Sequence, residues 1–209
     1  MTPAPDVFPI AVLASGSGSN LQAILDTVHG RDGIEVVAVG SNKADAPALE
    51  RARAKGVATA AFPLADHADR AARDLALADW LQARGARLVV LAGYMQLLTP
   101  AFLNRFPLAV VNVHPALLPA FPGLRAVEQA LAHGVRVFGV TVHFVDEGVD
   151  TGPIILQRAV ELPRAREAGE VLRRIHAIEH ELLPEAIRLI ARGAVRIDPD
   201  DPRRVVLDA

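Results

Sequence analysis

At 209 residues, with 51% hydrophobic residues and 22 Lys+Arg against 24 Asp+Glu, the chain can bury one sizeable core and has no basic surplus of the kind nucleic-acid binding uses. It contains no cysteine, which excludes disulfides, thiolate catalysis and cysteine-ligated zinc. No apolar run approaches the ~20 residues of a membrane span and residues 1–6 carry no basic segment leading into an apolar one, so a soluble, cytoplasmic, single-domain protein with no membrane and no nucleic-acid partner is expected.

Strand-like and helix-like segments alternate from the N-terminus. Residues 8–14 form a short apolar run that ends in Ser15-Gly16-Ser17-Gly18. A helical period follows over 21–28, with Ser19 placed to cap it and Gln22 three residues on. Residues 34–39 read as a strand, 46–55 as a helix stopped by Gly56, 57–61 as a weaker strand, and 69–83 as a helix stopped near Gly85. Residues 87–91 make a fourth strand, and Thr99-Pro100 has the signature of a helix start. This order predicts an α/β fold, a mostly parallel sheet with helices on both faces.

The pattern changes after Gly134. Residues 137–145 and 153–162 read as two strands joined by the turn Asp146-Glu147-Gly148-Val149-Asp150-Thr151-Gly152, an antiparallel extension of the sheet. A long helix is expected over 167–191, kinked or broken at Pro184. Residues 198–202 read as a turn-rich loop and 205–207 as a last edge strand.

Chemistry concentrates where the fifth strand ends. Val110, Val111 and Val113 are strand-like, and Asn112 and His114 stand two residues apart, so both side chains share one face. Pro115 then stops the ladder. An amide can donate to a carbonyl oxygen, and an imidazole can carry a proton near neutral pH. Neither group is needed to pack a core, although a polar residue at a strand end is often only a satisfied one.

The Gly16–Asn20 stretch is the second candidate. Its glycines allow a tight turn with backbone N–H groups open to a ligand, and the helix beyond favours an anion, so a phosphate is the natural guest. Leu21 falls where a dinucleotide fingerprint needs its third glycine, and no Gly-Lys-Ser/Thr follows, which disfavours both NAD and ATP. His176 and His180 are one helical turn apart without a third ligand in sight, so no metal is expected. His143 shares a strand face with Thr141 and stands either near the site or in the packing.

The motifs Gly16-Ser17-Gly18-Ser19-Asn20-Leu21-Gln22-Ala23, Ser41-Asn42-Lys43-Ala44-Asp45-Ala46, Leu91-Ala92-Gly93-Tyr94-Met95, Asn112-Val113-His114-Pro115-Ala116-Leu117-Leu118-Pro119, Gly139-Val140-Thr141-Val142-His143-Phe144-Val145 and Asp150-Thr151-Gly152-Pro153-Ile154-Ile155-Leu156-Gln157 together resemble the folate-dependent glycinamide ribonucleotide formyltransferase family, in order and spacing. The resemblance implies a Rossmann-like formyltransferase fold, in which the N-terminal half binds the ribonucleotide phosphate and the C-terminal half serves folate binding and catalysis. It implies the catalytic set Asn112, His114 and Asp150. Gly18, Ser19 and Asn20 match the family's phosphate loop, and Glu179 its contact to the glycinamide end. Arg70 matches the arginine at the folate tail. Met95, Gln96, Leu97 and Leu98, with Asn112 and the turn residues Asp146, Glu147, Gly148, Val149 and Asp150, match its folate-binding residues. Gln96 stands where an arginine is frequent, and Ala116 where a serine is frequent.

The implied reaction passes a formyl group from 10-formyltetrahydrofolate, as co-substrate and without a metal, to the amine of glycinamide ribonucleotide in purine biosynthesis, by a monomer or homodimer. Two relatives share the Asn-x-His and Asp set: an enzyme that formylates methionyl-tRNA and a formyltetrahydrofolate hydrolase. The first is expected to carry a basic C-terminal domain and an arginine where Pro122 precedes Gly123, and the second an extra N-terminal domain. A catalytically silent nucleotide-binding module is the reading from a different class; the intact Asn112, His114 and Asp150 set argues against it.

Overall fold

A computed structural model describes residues 7–208; residues 1–6, on which the absence of a leader pattern was read, lie outside the described residues. Two compact units divide within the fifth strand, between Val111 and Asn112.

The first unit runs β1 (Phe8–Leu13), α1 (Ser19–Thr27), β2 (Ile34–Ser41), α2 (Pro47–Ala54), β3 (Ala58–Ala61), a 3-10 turn at Leu64–Asp66, α3 (Arg70–Gln82), β4 (Leu88–Leu91), α4 (Pro100–Leu103) and the start of β5 (Val110–His114). β1 lies between β2 and β4 and is parallel to both, and β3 is parallel to β2. Ile10, Ala11, Val12 and Leu13 have no exposed surface, nor have Val89 and Val90. Such unbroken apolar runs are what strands covered on both faces require. The strand order reverses between β1 and β4, and in open α/β sheets ligands bind beyond the strand ends at such a reversal. The loops leaving these two strands are stitched together there: Ser15 N–H donates to Gly93 O at 3.0 Å and Ala92 N–H to Leu13 O at 2.9 Å.

The second unit holds the end of β5, then α5 (Ala126–Ala132), β6 (Val137–Phe144), β7 (Ile154–Glu161), α6 (Ala168–Ala191), β8 (Val195–Asp198) and β9 (Asp201–Leu207). β6 and β7 pair antiparallel from Val137↔Glu161 to His143↔Ile154. The sheet order is β3-β2-β1-β4-β5-β6-β7, the mostly parallel sheet with an antiparallel extension that the sequence predicts. α6 packs on β6 and β7 through Val171, Ile175, Leu182, Leu183, Ala186 and Ile187, all buried at the three- and four-residue spacing of one helical face. Truncating Leu183 to alanine there removes about 2–5 kcal/mol.

One local expectation fails outright, at the start of α1. Ser19 does not cap α1: the residue before the helix is Gly18, at φ 74, with no side-chain cap, and Gln22 turns its amide to Asp26 at 2.9 Å. Of a kink or a break at Pro184, the break does not occur: α6 runs from Ala168 to Ala191 through it; the proline lacks an N–H for the helix ladder, but buried residues on either side hold the segment. Residues 205–207 do form a last strand, outside the large sheet. They belong to β9, which pairs antiparallel with β8 in a separate two-stranded sheet.

Candidate active site

In the second unit, β5 presents Asn112 and His114 on one face, and the turn after β6 brings Asp150 to them. His114 is 4% exposed. Its Nε2–H donates to Phe121 O at 2.8 Å, and its Nδ1 lies 3.3 Å from Asp150 Oδ2. Both ring nitrogens thus face acceptors, the arrangement a doubly protonated imidazolium satisfies. Asp150 Oδ2 also accepts from Gly123 N–H at 2.8 Å, while Oδ1 lies 3.6 Å from His143 Nε2. Burial pushes the Asp150 carboxyl up, but His143, the Gly123 amide and the charge of His114 outweigh it and hold the group down at about 2.

His143 is the residue the sequence left undecided, and the structure puts it in the cluster. It is 1% exposed. Its Nδ1–H donates to Phe144 O at 2.7 Å. Nε2 stands 3.3 Å from Asn112 Nδ2, on the side that faces Asp150. The contact orients the Asn112 amide and leaves its second N–H for another acceptor. The available signal was the two-residue alternation of Thr141 and His143 along β6. Thr141, fully buried, fastens the chain after His114: its hydroxyl donates to Ala116 O at 2.7 Å and accepts from Leu118 N–H at 3.1 Å.

Backbone strain collects around the same residues. Phe121, Arg125 and Asp150 have φ of 55, 57 and 55, a left-handed region that costs a non-glycine residue of order 1–3 kcal/mol. Within the turn, Asp146 Oδ1 accepts from Gly148 N–H at 3.0 Å and from Thr151 Oγ1 at 2.7 Å, so this carboxylate shapes the loop. Glu147, Gly148 and Val149 are exposed. Glu179 lies buried on α6. His176 and His180 stack with ring centroids 6.4 Å apart, and among the described residues no group of three His, Asp or Glu side chains is arranged to hold a metal.

In the first unit, the Gly16–Asn20 stretch sits where β1 meets α1. Gly18 is required there twice over. Its φ of 74 favours glycine, and a Cβ would fall 2.8 Å from Ala48 Cβ and 2.9 Å from Ala48 Cα. Because Gly18 takes the cap position without a side chain, the first-turn N–H groups of α1 receive no side-chain cap, the feature that suits an anion. Arg51 braces the turn, its Nε–H donating to Ser17 O at 2.7 Å and its Nη1–H to Gln22 Oε1 at 3.0 Å. After β4, Met95 and Leu97 are 59% and 57% exposed. Arg70 Nη2–H donates to Leu97 O at 2.8 Å, so the arginine matched to the folate tail stands beside the matched loop.

A family profile described as formyl transferase matches residues 9–187. The chain is 40% identical over 179 residues to the phosphoribosylglycinamide formyltransferase of Bacillus subtilis (strain 168), covering 85% of this chain and 92% of that protein. It is 42% identical over 192 residues to the trifunctional purine biosynthetic protein adenosine-3 of Chironomus tentans, of which it spans 14%. A crystal structure of glycinamide ribonucleotide transformylase 1 from Symbiobacterium toebii superposes with a TM-score of 0.94 at 51% identity, covering 100% of this chain and 98% of that one.

Proposed function

The chain belongs to the formyl transferase family, and from that premise we propose that it transfers the formyl group of 10-formyltetrahydrofolate to the primary amine of glycinamide ribonucleotide, a step of purine biosynthesis. The observation that carries the reading is the cluster of Asn112, His114 and Asp150, with each His114 ring nitrogen on an acceptor.

The amine nitrogen attacks the formyl carbon, and the carbonyl π pair moves onto oxygen. Asn112 donates its remaining amide N–H to that oxygen. His114 carries positive charge beside it, held by Asp150, and the formyl oxygen replaces Phe121 O as acceptor for Nε2–H. One well-placed donor of this kind is worth about 3–4 kcal/mol in the transition state. The oxygen pair then reforms the carbonyl, the bond from carbon to N10 breaks, and the proton of the attacking nitrogen passes to N10 through His114 or a water. The products are formylglycinamide ribonucleotide and tetrahydrofolate, and no step calls for a metal.

The substrate contacts follow the matched positions. Gly18, Ser19 and Asn20 take the ribonucleotide phosphate and Glu179 its glycinamide end. Met95, Gln96, Leu97 and Leu98 contact the folate, as do residues 146–150, and Arg70 meets its acidic tail. Replacing Asn112 or His114 by alanine is the test: kcat falls ~10²-fold or more in a protein that keeps its circular dichroism, whereas near-normal kcat in His114→Ala would sink the assignment.

A further inference from the structure

Arg73 and Asp74 are two charged side chains of the first unit with no exposed surface at all. Taking two charges out of water is unfavourable unless their partners are well placed, so where their hydrogen bonds go matters. Arg73 Nε–H and Nη2–H both donate to Asp74 Oδ1, at 2.9 and 2.6 Å. Each member of the pair then sends one further polar group to the same segment. Arg73 Nη1–H donates to Gln96 Oε1 at 3.0 Å, and Asp74 Oδ2 accepts from Thr99 N–H at 2.7 Å. Gln96 turns its own Nε2–H back to Met95 O at 2.8 Å, so its amide is engaged within the protein at both ends. Residues 95–99 are neither helix nor strand, yet they hold Met95 and Leu97 out in solvent.

We propose that the buried Arg73–Asp74 pair is a positioning device for the segment that contacts folate, Arg73 acting through Gln96 and Asp74 through the Thr99 amide, neither touching the ligand. The proposal rests on the reading of residues 95–98 as folate contacts. It gives Gln96 a reason. A guanidinium already reaches this point from α3, so position 96 needs an acceptor, and an arginine there would set two cations against each other.

The test uses the full chain and three variants: Gln96→Arg, Asp74→Asn and Leu97→Ala. KM is measured separately for 10-formyltetrahydrofolate and for glycinamide ribonucleotide, and hydrogen exchange is followed at the Thr99 amide. Gln96→Arg and Asp74→Asn are expected to raise the folate KM ~10-fold or more with faster exchange at Thr99, while the ribonucleotide KM stays within about twofold. If Asp74→Asn does not fold, Gln96→Arg decides, because it leaves the ion pair itself in place. An unchanged folate KM and unchanged exchange in Gln96→Arg, with Leu97→Ala still raising the folate KM, overturns the positioning role and leaves the folate reading standing. An unchanged folate KM in Leu97→Ala overturns both.

Discussion

Replacing Asp150 by asparagine tests the cluster through its charge alone. The residue sits at φ 55, a conformation asparagine tolerates as well as aspartate, and an amide oxygen can still accept from the Gly123 N–H. What is lost is the negative charge facing His114 and His143. The carboxyl lies at about 2 in the folded protein against 3.8 as its ordinary value, a difference worth about 2 kcal/mol in favour of the folded state. Because the folded value is depressed, that stability is fully present well above pH 3.8 and is lost progressively as the pH falls toward 2. Urea unfolding of both proteins is the assay. The variant is expected to be less stable by about 2 kcal/mol at pH 6, with the gap closing as the pH approaches 2. In the same variant kcat is expected to fall ~10²-fold, since the imidazolium loses its counter-charge. A stability gap that does not change with pH, or an unchanged kcat, would refute the reasoning and leave Asp150 an ordinary turn residue.

Other outcomes follow from the same geometry. His143→Phe removes the ring nitrogen that orients the Asn112 amide, a contact of about 1 kcal/mol, so kcat is expected to drop ~10-fold with both KM values unchanged; His143→Gln, which keeps a polar group there, is expected to retain more activity. Gly18→Ala adds left-handed strain of about 1–2 kcal/mol and a Cβ 2.8 Å from Ala48 Cβ, so the ribonucleotide KM should rise ~10-fold or more while the folate KM holds; equal effects on both substrates would mean that the turn serves the fold and not the phosphate. Exhaustive dialysis against EDTA is expected to leave the rate unchanged, and a loss restored by a divalent cation would overturn the metal-free chemistry.

The sheet was legible because its strands are unbroken apolar runs. Val89 and Val90 can only be a covered strand, and residues 137–145 and 153–162 flank an acidic, glycine-bearing turn that reads as a hairpin. Asn112 and His114 were legible as a pair because strand geometry alone puts them on one face. Asp150 was legible only through the family resemblance and His143 was left undecided, because both come from distant sequence. His143 meets Asn112 across 31 residues, and nothing local distinguishes it from a packed histidine. Arg73 and Asp74 sit in a helix whose charged residues look like a solvated surface, and only tertiary contact shows them sealed against Gln96 and Thr99. The cap at Ser19 failed for a related reason: the close approach of Ala48 at Gly18 decides where α1 begins, and Ala48 lies on another helix. At Pro184 local chemistry alone allows a break, and the buried residues on either side of it carry the helix through.

The most direct measurement mixes the purified full chain with glycinamide ribonucleotide and 10-formyltetrahydrofolate, following tetrahydrofolate release together with the mass of the ribonucleotide. The account predicts that each tetrahydrofolate released is matched by one formyl group on the ribonucleotide, and that neither product forms when the ribonucleotide is left out. Tetrahydrofolate and formate appearing without the ribonucleotide would make the chain a hydrolase. No turnover of either substrate by the folded protein would contradict formyl transfer altogether.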